Sequence, residues 1–172
     1  MKTKLSIIEL ILLIALFLSC SATGVKLERE DFVLYNVNKT IQLQLIEPFD
    51  FANSKLGAAL EDVPFNWPTS GVNRIVYENI ILYCQKELNG VIWLDANKPY
   101  FKTKRGLKVG DHISKIYHLY SKEEIASENW EGKKCSVYIK CNADWLGDDY
   151  DEAVLKIIYY SDRVISIQVY CS

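Results

Sequence analysis

Histidine is almost missing from this chain: 172 residues carry only His112 and His118. Six helical residues turn by about 600°, so the two rings fall on separated faces of a helix and are badly placed to share a metal. Five cysteines are present, but none at C-x-x-C spacing, which argues against a zinc ribbon. Neither a P-loop, nor H-E-x-x-H, nor a nucleophile elbow occurs, so the local signatures of nucleotide binding, zinc proteolysis and the α/β hydrolases are all lacking. Charge of one sign is also lacking. Twenty Lys and Arg stand against 22 Asp and Glu, for a net charge of −2, and no basic patch offers a nucleic-acid footprint. No apolar run reaches the roughly 20 residues that a membrane-spanning helix needs.

What is present begins at the N-terminus. Lys2 and Lys4 precede an unbroken apolar run from Leu10 to Leu18, with no charge after Glu9. That length fits the apolar core of a signal peptide. The run ends in Phe17-Leu18-Ser19-Cys20, which resembles the bacterial lipobox, although Phe17 stands where that pattern usually has Leu. The resemblance implies that the Cys20 thiol takes a diacylglyceryl group and becomes the mature N-terminus. A buried CH₂ contributes about 0.8 kcal/mol, so more than one acyl chain gives a stable anchor. Residues 1–19 then read as signal peptide and 20–31, polar and charged, as a lipidated tether. Residues 32–172 read as a single domain, long enough to bury a real core. Loss of Lys2, Lys4 and Glu9 leaves 18 basic and 21 acidic side chains, a net charge of −3.

The folded part alternates strand-like and helix-like text. Thr40–Ile46 alternates apolar and polar residues as a half-buried strand does. Asn53–Glu61 reads as a short helix with Asn53 as cap. The β-rich runs Val76–Gln85 and Gly90–Ala96 make a hairpin about Asn89-Gly90. Asp111 is placed to cap a helix whose apolar face is Ile113, Ile116, Tyr117 and Tyr120. Lys134–Cys141 is a further strand, and Leu155–Tyr160 with Val164–Cys171 a closing hairpin about Ser161-Asp162-Arg163. These closing strands contain no Pro, consistent with central positions in a sheet. A short helix, a loop and a hairpin ending GVIWLDA recur as a helix, a loop and a hairpin ending RVISIQVY, the second unit longer by an inserted strand and an acidic loop. The fold class expected is α+β: an antiparallel sheet with short helices packed on one face, with two helix-plus-hairpin units in tandem as one arrangement.

Thr103-Lys104-Arg105-Gly106-Leu107-Lys108-Val109-Gly110-Asp111 follows the pattern Thr-x-basic-Gly-aliphatic-x-aliphatic-Gly-Asp before a helix ending in Tyr. It resembles small exported bacterial proteins with the β-lactamase-inhibitor-protein-like fold, to which the small outer-membrane assembly lipoproteins are related. The resemblance covers roughly residues 76–120 and, loosely, the closing strand. His112 stands where Ser or Thr often follows the Asp, and Ser121 where Gly often follows the Tyr. The resemblance implies a binding module that presents a concave sheet face to a protein partner, and it implies no chemistry.

The chain's own residues agree with a binding role. If Ile80, Leu82, Ile92, Leu94, Val137, Ile139, Ile165 and Ile167 face the helices, the opposite face carries Tyr83, Trp93, Tyr138, Ser166, Gln168 and Tyr170. Tyr and Trp are enriched in protein interfaces, though cross-strand aromatics also stabilise a sheet face by themselves. By alternation Cys84, Cys135, Cys141 and Cys171 face the core. Export favours disulfides among them, with buried free thiols as the alternative. On one continuous strand Cys135 and Cys141 sit about 20 Å apart, too far to bridge each other. Asp144, Asp148, Asp149, Asp151 and Glu152 lack the internal Gly of a calcium loop and read as a solvated acidic loop. The expectation is a non-enzymatic, lipid-anchored envelope protein with a protein partner, without catalytic residues, metal, cofactor or nucleic acid. An assembly scaffold is the alternative, and a hydrolase assembled in space a distant third.

Overall fold

The computed structural model describes residues 27–65, 71–85, 87, 89–148 and 150–172; Cys20 and the signal segment lie outside them. Strands dominate, and the fold is a mainly-β α+β arrangement. The chain enters through a 3₁₀ turn at Arg29–Phe32 and forms β1 (Leu34–Asn36) and β2 (Gln42–Leu43). Helix α1 (Phe49–Leu56) follows, then β3 (Glu61–Pro64), β4 (Val72–Val76), β5 (Ile81–Gln85) and β6 (Gly90–Ala96). Next come β7 (Phe101–Thr103) and helix α2 (Ser114–Leu119). The chain ends with β8 (Ile125–Glu131), β9 (Lys134–Asn142), β10 (Glu152–Tyr160) and β11 (Arg163–Cys171).

Eight strands form one sheet in the order β3-β4-β5-β6-β11-β10-β9-β8, and β2-β1-β7 make a small second sheet. All neighbouring pairs in the large sheet are antiparallel. Pro64 and the acidic pair Glu61 and Asp62 lie on β3, an edge strand. There a missing N–H is tolerated and charge discourages further pairing.

One face of the sheet is built from Ile75, Leu82, Leu94, Val137, Ile139, Leu155, Ile157, Ile167 and Val169, all fully or nearly fully buried. Each such side chain contributes roughly 1.5–3 kcal/mol when withdrawn from water. Ala52 of α1 and Ile116 of α2 belong to the same buried cluster, with Phe32, Phe101 and Leu107.

Three irregularities change the strand phase: one leaves Ala126 extra on the edge strand β8, and the other two fall at residues expected in the core. Tyr83 pairs with Trp93 while Cys84 pairs with Val91, which leaves Ile92 as the extra residue. Ser166 pairs with Ile158 while Val164 pairs with Tyr159, which leaves Ile165 extra. A bulged residue drops out of the alternation and re-aims its neighbours. Ile165 is accordingly 42% exposed and Ile92 half-buried, not core residues as simple alternation predicts, and Val91 and Val164 fill the core instead.

Other expectations are corrected. Only Gln42–Leu43 of the run Thr40–Ile46 is strand. Helix α1 begins four residues before Asn53, behind Pro48, and stops at Gly57, so Glu61 opens a strand. The run Val76–Gln85 is split by a turn, with Val76 ending β4 and Ile81 opening β5. Asp111 does not cap α2: its carboxylate accepts from the Lys108 backbone N–H and from Lys115 Nζ. Each helix precedes four strands of the large sheet, not a single hairpin, and the first set is followed by β7 of the small sheet. Nor does a free tether reach residue 31. Leu27 packs against the core, and Asp31, 4% exposed, is an ion-pair partner of Arg105.

Candidate functional site

The Thr103–Asp111 segment was the strongest motif in the sequence, and its parts hold the fold. Thr103 is buried; its Oγ1 accepts from the Leu107 N–H and from the Tyr120 hydroxyl, at 3.2 and 3.1 Å. Gly106 and Gly110 adopt φ of 88° and 89°, a region that costs side-chain-bearing residues free energy. The Gly110 N–H then reaches the Val164 carbonyl, and the Val164 N–H returns to the Asp111 carbonyl, which docks this loop on the closing hairpin. Arg105 donates to Asp31 at 2.9 Å, to Glu124 at 2.7 and 3.0 Å and to the Leu119 carbonyl at 2.8 Å. Its guanidinium also lies 4.8 Å from the centre of the Tyr120 ring. Burial works to raise the Glu124 carboxyl, but hydrogen bonds from Arg105 and Ser121 overcome it and hold the group below its usual range.

The opposite face of the large sheet brings together all six residues expected there. Tyr83 on β5, Trp93 on β6 and Tyr170 on β11 lie side by side, because Trp93 pairs with both tyrosines. Tyr83 and Trp93 stack with centroids 4.4 Å apart and planes at 22°, and Tyr170 tilts against Trp93 at 5.7 Å. Phe65, just after β3, meets Tyr83 edge-on at 4.7 Å. Such pairs contribute about 0.5–1.5 kcal/mol beyond area burial. Burial raises the phenol pKa of Tyr83 and of Tyr170, so both keep their hydroxyl protons at neutral pH. Further along the face, Tyr138 on β9 lies under Lys156 of β10, at 5.3 Å from ammonium to ring centre.

Ser166 and Gln168 converge on a residue that the sequence reading passed over. Ser166 Oγ donates to Asp95 at 2.8 Å and Gln168 Nε2 donates to its other carboxylate oxygen at 3.1 Å. Burial pushes the Asp95 carboxyl up, further than these hydrogen bonds and the nearby Lys156 and Arg74 bring it down. Asp95, Arg74 and Lys156 were all missed as face residues. The signal for Asp95 was its place two residues after Trp93, on the same side of the strand. The face is more closed than free-standing aromatics would be: Tyr83 is 7% exposed, and Ser166 and Gln168 are each 9% exposed.

The cysteines correct another expectation. Cys84, Cys135, Cys141 and Cys171 do lie on the core side, but all four are free thiols. Cys141 and Cys171 flank Ala153 from opposite sides, two strand spacings apart, about 10 Å, and beyond disulfide reach. Cys84 and Cys171 are likewise separated by β6. Burial pushes the Cys84 and Cys171 thiols up to about 12, so neither is a ready nucleophile.

His118 is exposed. His112 belongs to a surface Ser–His–Asp set, with Ser114 Oγ 2.8 Å from Nδ1 and Asp162 4.0 Å from Nε2. The Ser114 backbone N–H already donates to that Nδ1, and ring and carboxylate are half or more exposed. The set lacks the shielded, oriented base that activates a serine. Among the described residues no three His, Cys, Asp or Glu side chains come together as a metal site, and no helix is long and apolar enough to cross a membrane.

No family model matches this chain, and no curated protein matches it. One solved structure with a similar arrangement is a cysteine-rich secretory protein of Staphylococcus aureus. It is 17% identical, with a TM-score of 0.46 over 72% of this chain, and the chain spans only 43% of that protein.

Proposed function

We propose that this chain is a lipid-anchored, non-enzymatic protein-binding module of the bacterial envelope, docking its partner on the sheet face that carries Tyr83, Trp93, Tyr138, Ser166, Gln168 and Tyr170. The observation that carries the reading is the continuity of that face. Aromatic and hydrogen-bonding side chains from five adjacent strands, β5, β6, β11, β10 and β9, form one surface. Large, rigid side chains of this kind lose little conformational freedom when a partner covers them. The opposite face is consumed by the core.

A β-lactamase-inhibitor-protein-like arrangement is part of the same proposal. In its support, each helix is followed by four antiparallel strands of the large sheet, and the last large-sheet strands of the two sets, β6 and β11, pair antiparallel in the middle of that sheet. Two tandem units related by a local two-fold axis would pair this way. The presence of Ala52 and Ile116 in one cluster with the inner sheet face supports helices packed on a single side. The anchor rests on the lipobox at Cys20. Cys20→Ala should move the chain from the membrane pellet to the soluble fraction.

The docking face is tested in the native envelope. A photoreactive residue replacing Tyr138 should crosslink to one envelope protein, and the same residue replacing Phe51 on α1, 57% exposed, should not. Equal labelling from the two positions, or none from Tyr138, would overturn the assignment of the face.

A further inference from the structure

Six carboxylates among the described residues are buried or partly buried: Asp31, Glu47, Asp95, Asp111, Glu124 and Glu152. Five of them have a Lys or Arg within ion-pair distance, namely Arg105 for Asp31 and Glu124, Lys55 for Glu47, Lys115 for Asp111 and Lys140 for Glu152. Asp95 does not. Its two oxygens are held by a hydroxyl and a primary amide, Ser166 and Gln168. The two cations on the same face are occupied elsewhere: Arg74 donates to Glu61 at 3.0 Å, and Lys156 lies over Tyr138.

A largely shielded carboxylate without a cation in direct contact is a costly arrangement. Neutral donors hold both oxygens in place yet leave further lone pairs unfilled, because an ionised carboxylate has about four acceptor sites. Asp95 also borders the aromatic platform. It follows Trp93 by two residues on β6 and pairs with Gln168, while Trp93 pairs with Tyr170 and Tyr83. An oriented carboxylate at the margin of stacked rings matches one side chain best. A guanidinium forms paired hydrogen bonds to a carboxylate and stacks flat on aromatic faces, and it loses less hydration than an ammonium does.

The geometry points to Asp95, set beside Trp93, as the receptor for an arginine side chain of the protein that docks on this face. The inference rests on the docking face proposed above and names the chemistry of its partner. Arginine supplies the direct ion-pair partner that Asp95 lacks, while the more distant cations Arg74 and Lys156 offset part of its charge before docking.

The test uses the full lipidated chain in detergent micelles, labelled with fluorotryptophan, with the Trp93 resonance assigned through Trp93→Phe. N-acetyl-arginine amide should move that resonance saturably, and the neutral isostere N-acetyl-citrulline amide should not. Asp95→Asn should abolish the response. So should Gln168→Lys, which gives Asp95 a cation from within the chain and serves if the first variant folds poorly. An equal response to arginine and citrulline probes, no response to either, or a response that survives in both variants overturns the inference. The Tyr138 photocrosslink, repeated in the Asp95→Asn background, separates the two readings. A yield reduced tenfold or more supports the arginine receptor. An undiminished yield removes the arginine receptor and leaves the docking face standing, whereas no crosslink even in the native chain removes the face itself.

Discussion

Around Arg105, two shielded carboxylates share one guanidinium that also donates to a backbone carbonyl. Around Asp95, one shielded carboxylate is held by uncharged groups alone. The first cluster ties the N-terminal turn, the motif loop and the end of α2 together, and its charges are satisfied within the chain. The second lies on the sheet face that carries the aromatic rings, and its charge is balanced only at a distance. The same residue type therefore serves two ends. A carboxylate paired internally contributes to holding elements in register, whereas one oriented but unpaired is free to meet a cation from outside.

The comparison is broken most forcefully at Arg105. Arg105→Met leaves Asp31 and Glu124 without their cation, and such a change costs about 3–5 kcal/mol. Urea unfolding of the variant should show it, and a loss under 1 kcal/mol would mean that the cluster is not structural. Because the folded Glu124 carboxyl sits below its unfolded value, the stability it confers is present above about pH 4.3. That stability fades as the pH falls through the lower folded value. The gap between native and Arg105→Met should therefore narrow on acidification.

Tyr120→Phe probes the neighbouring contact. It removes the hydroxyl that donates to Thr103 and should cost about 1 kcal/mol, the usual net contribution of such a bond. Thermal unfolding would register a downshift of a few degrees.

Asp95→Asn should behave in the opposite sense. The folded Asp95 carboxyl is raised by burial, so its protonated form adds stability below about pH 3.9, and that stability is lost as the pH rises through the folded value. At neutral pH the charged group therefore opposes folding, in spite of Arg74 and Lys156 on the same face. The Asn variant should match or exceed the native chain by up to about 1 kcal/mol in urea unfolding. The difference should vanish in acid. A clearly destabilised variant at pH 7 would place Asp95 with the structural carboxylates. The smallest effect belongs to the partly exposed pair Lys140–Glu152, where Lys140→Ala should change stability by no more than about 0.5 kcal/mol.

Legibility followed burial. The strands β9, β10 and β11 and the turns at Asn89-Gly90 and Ser161-Asp162 were readable, since apolar alternation and turn residues are local signals. Edge strands β3 and β8 were not. Their residues, EDVP and IASENWE, are mostly exposed, so no apolar period marks them. The starts of α1 and α2 were misjudged because Asn53 and Asp111 are good capping residues used for other contacts. Ile92 and Ile165 were assigned inward because a bulge leaves no trace in composition. Disulfides were expected because the cysteine count is legible and export was expected, whereas the strand spacing that keeps the thiols apart is not legible.

The sequence by itself determined which side of each strand Tyr83, Trp93, Tyr138, Ser166, Gln168 and Tyr170 occupy, because side-chain alternation is a property of the extended backbone. Tertiary structure alone decided that these sides join. Asp95 meets Ser166 and Gln168 across 71 and 73 residues of chain, and Trp93 meets Tyr83 and Tyr170, because β6 is inserted between β5 and β11. Strand order arises from burying one continuous apolar face over the whole sheet, a sum over distant residues that no local stretch of sequence expresses.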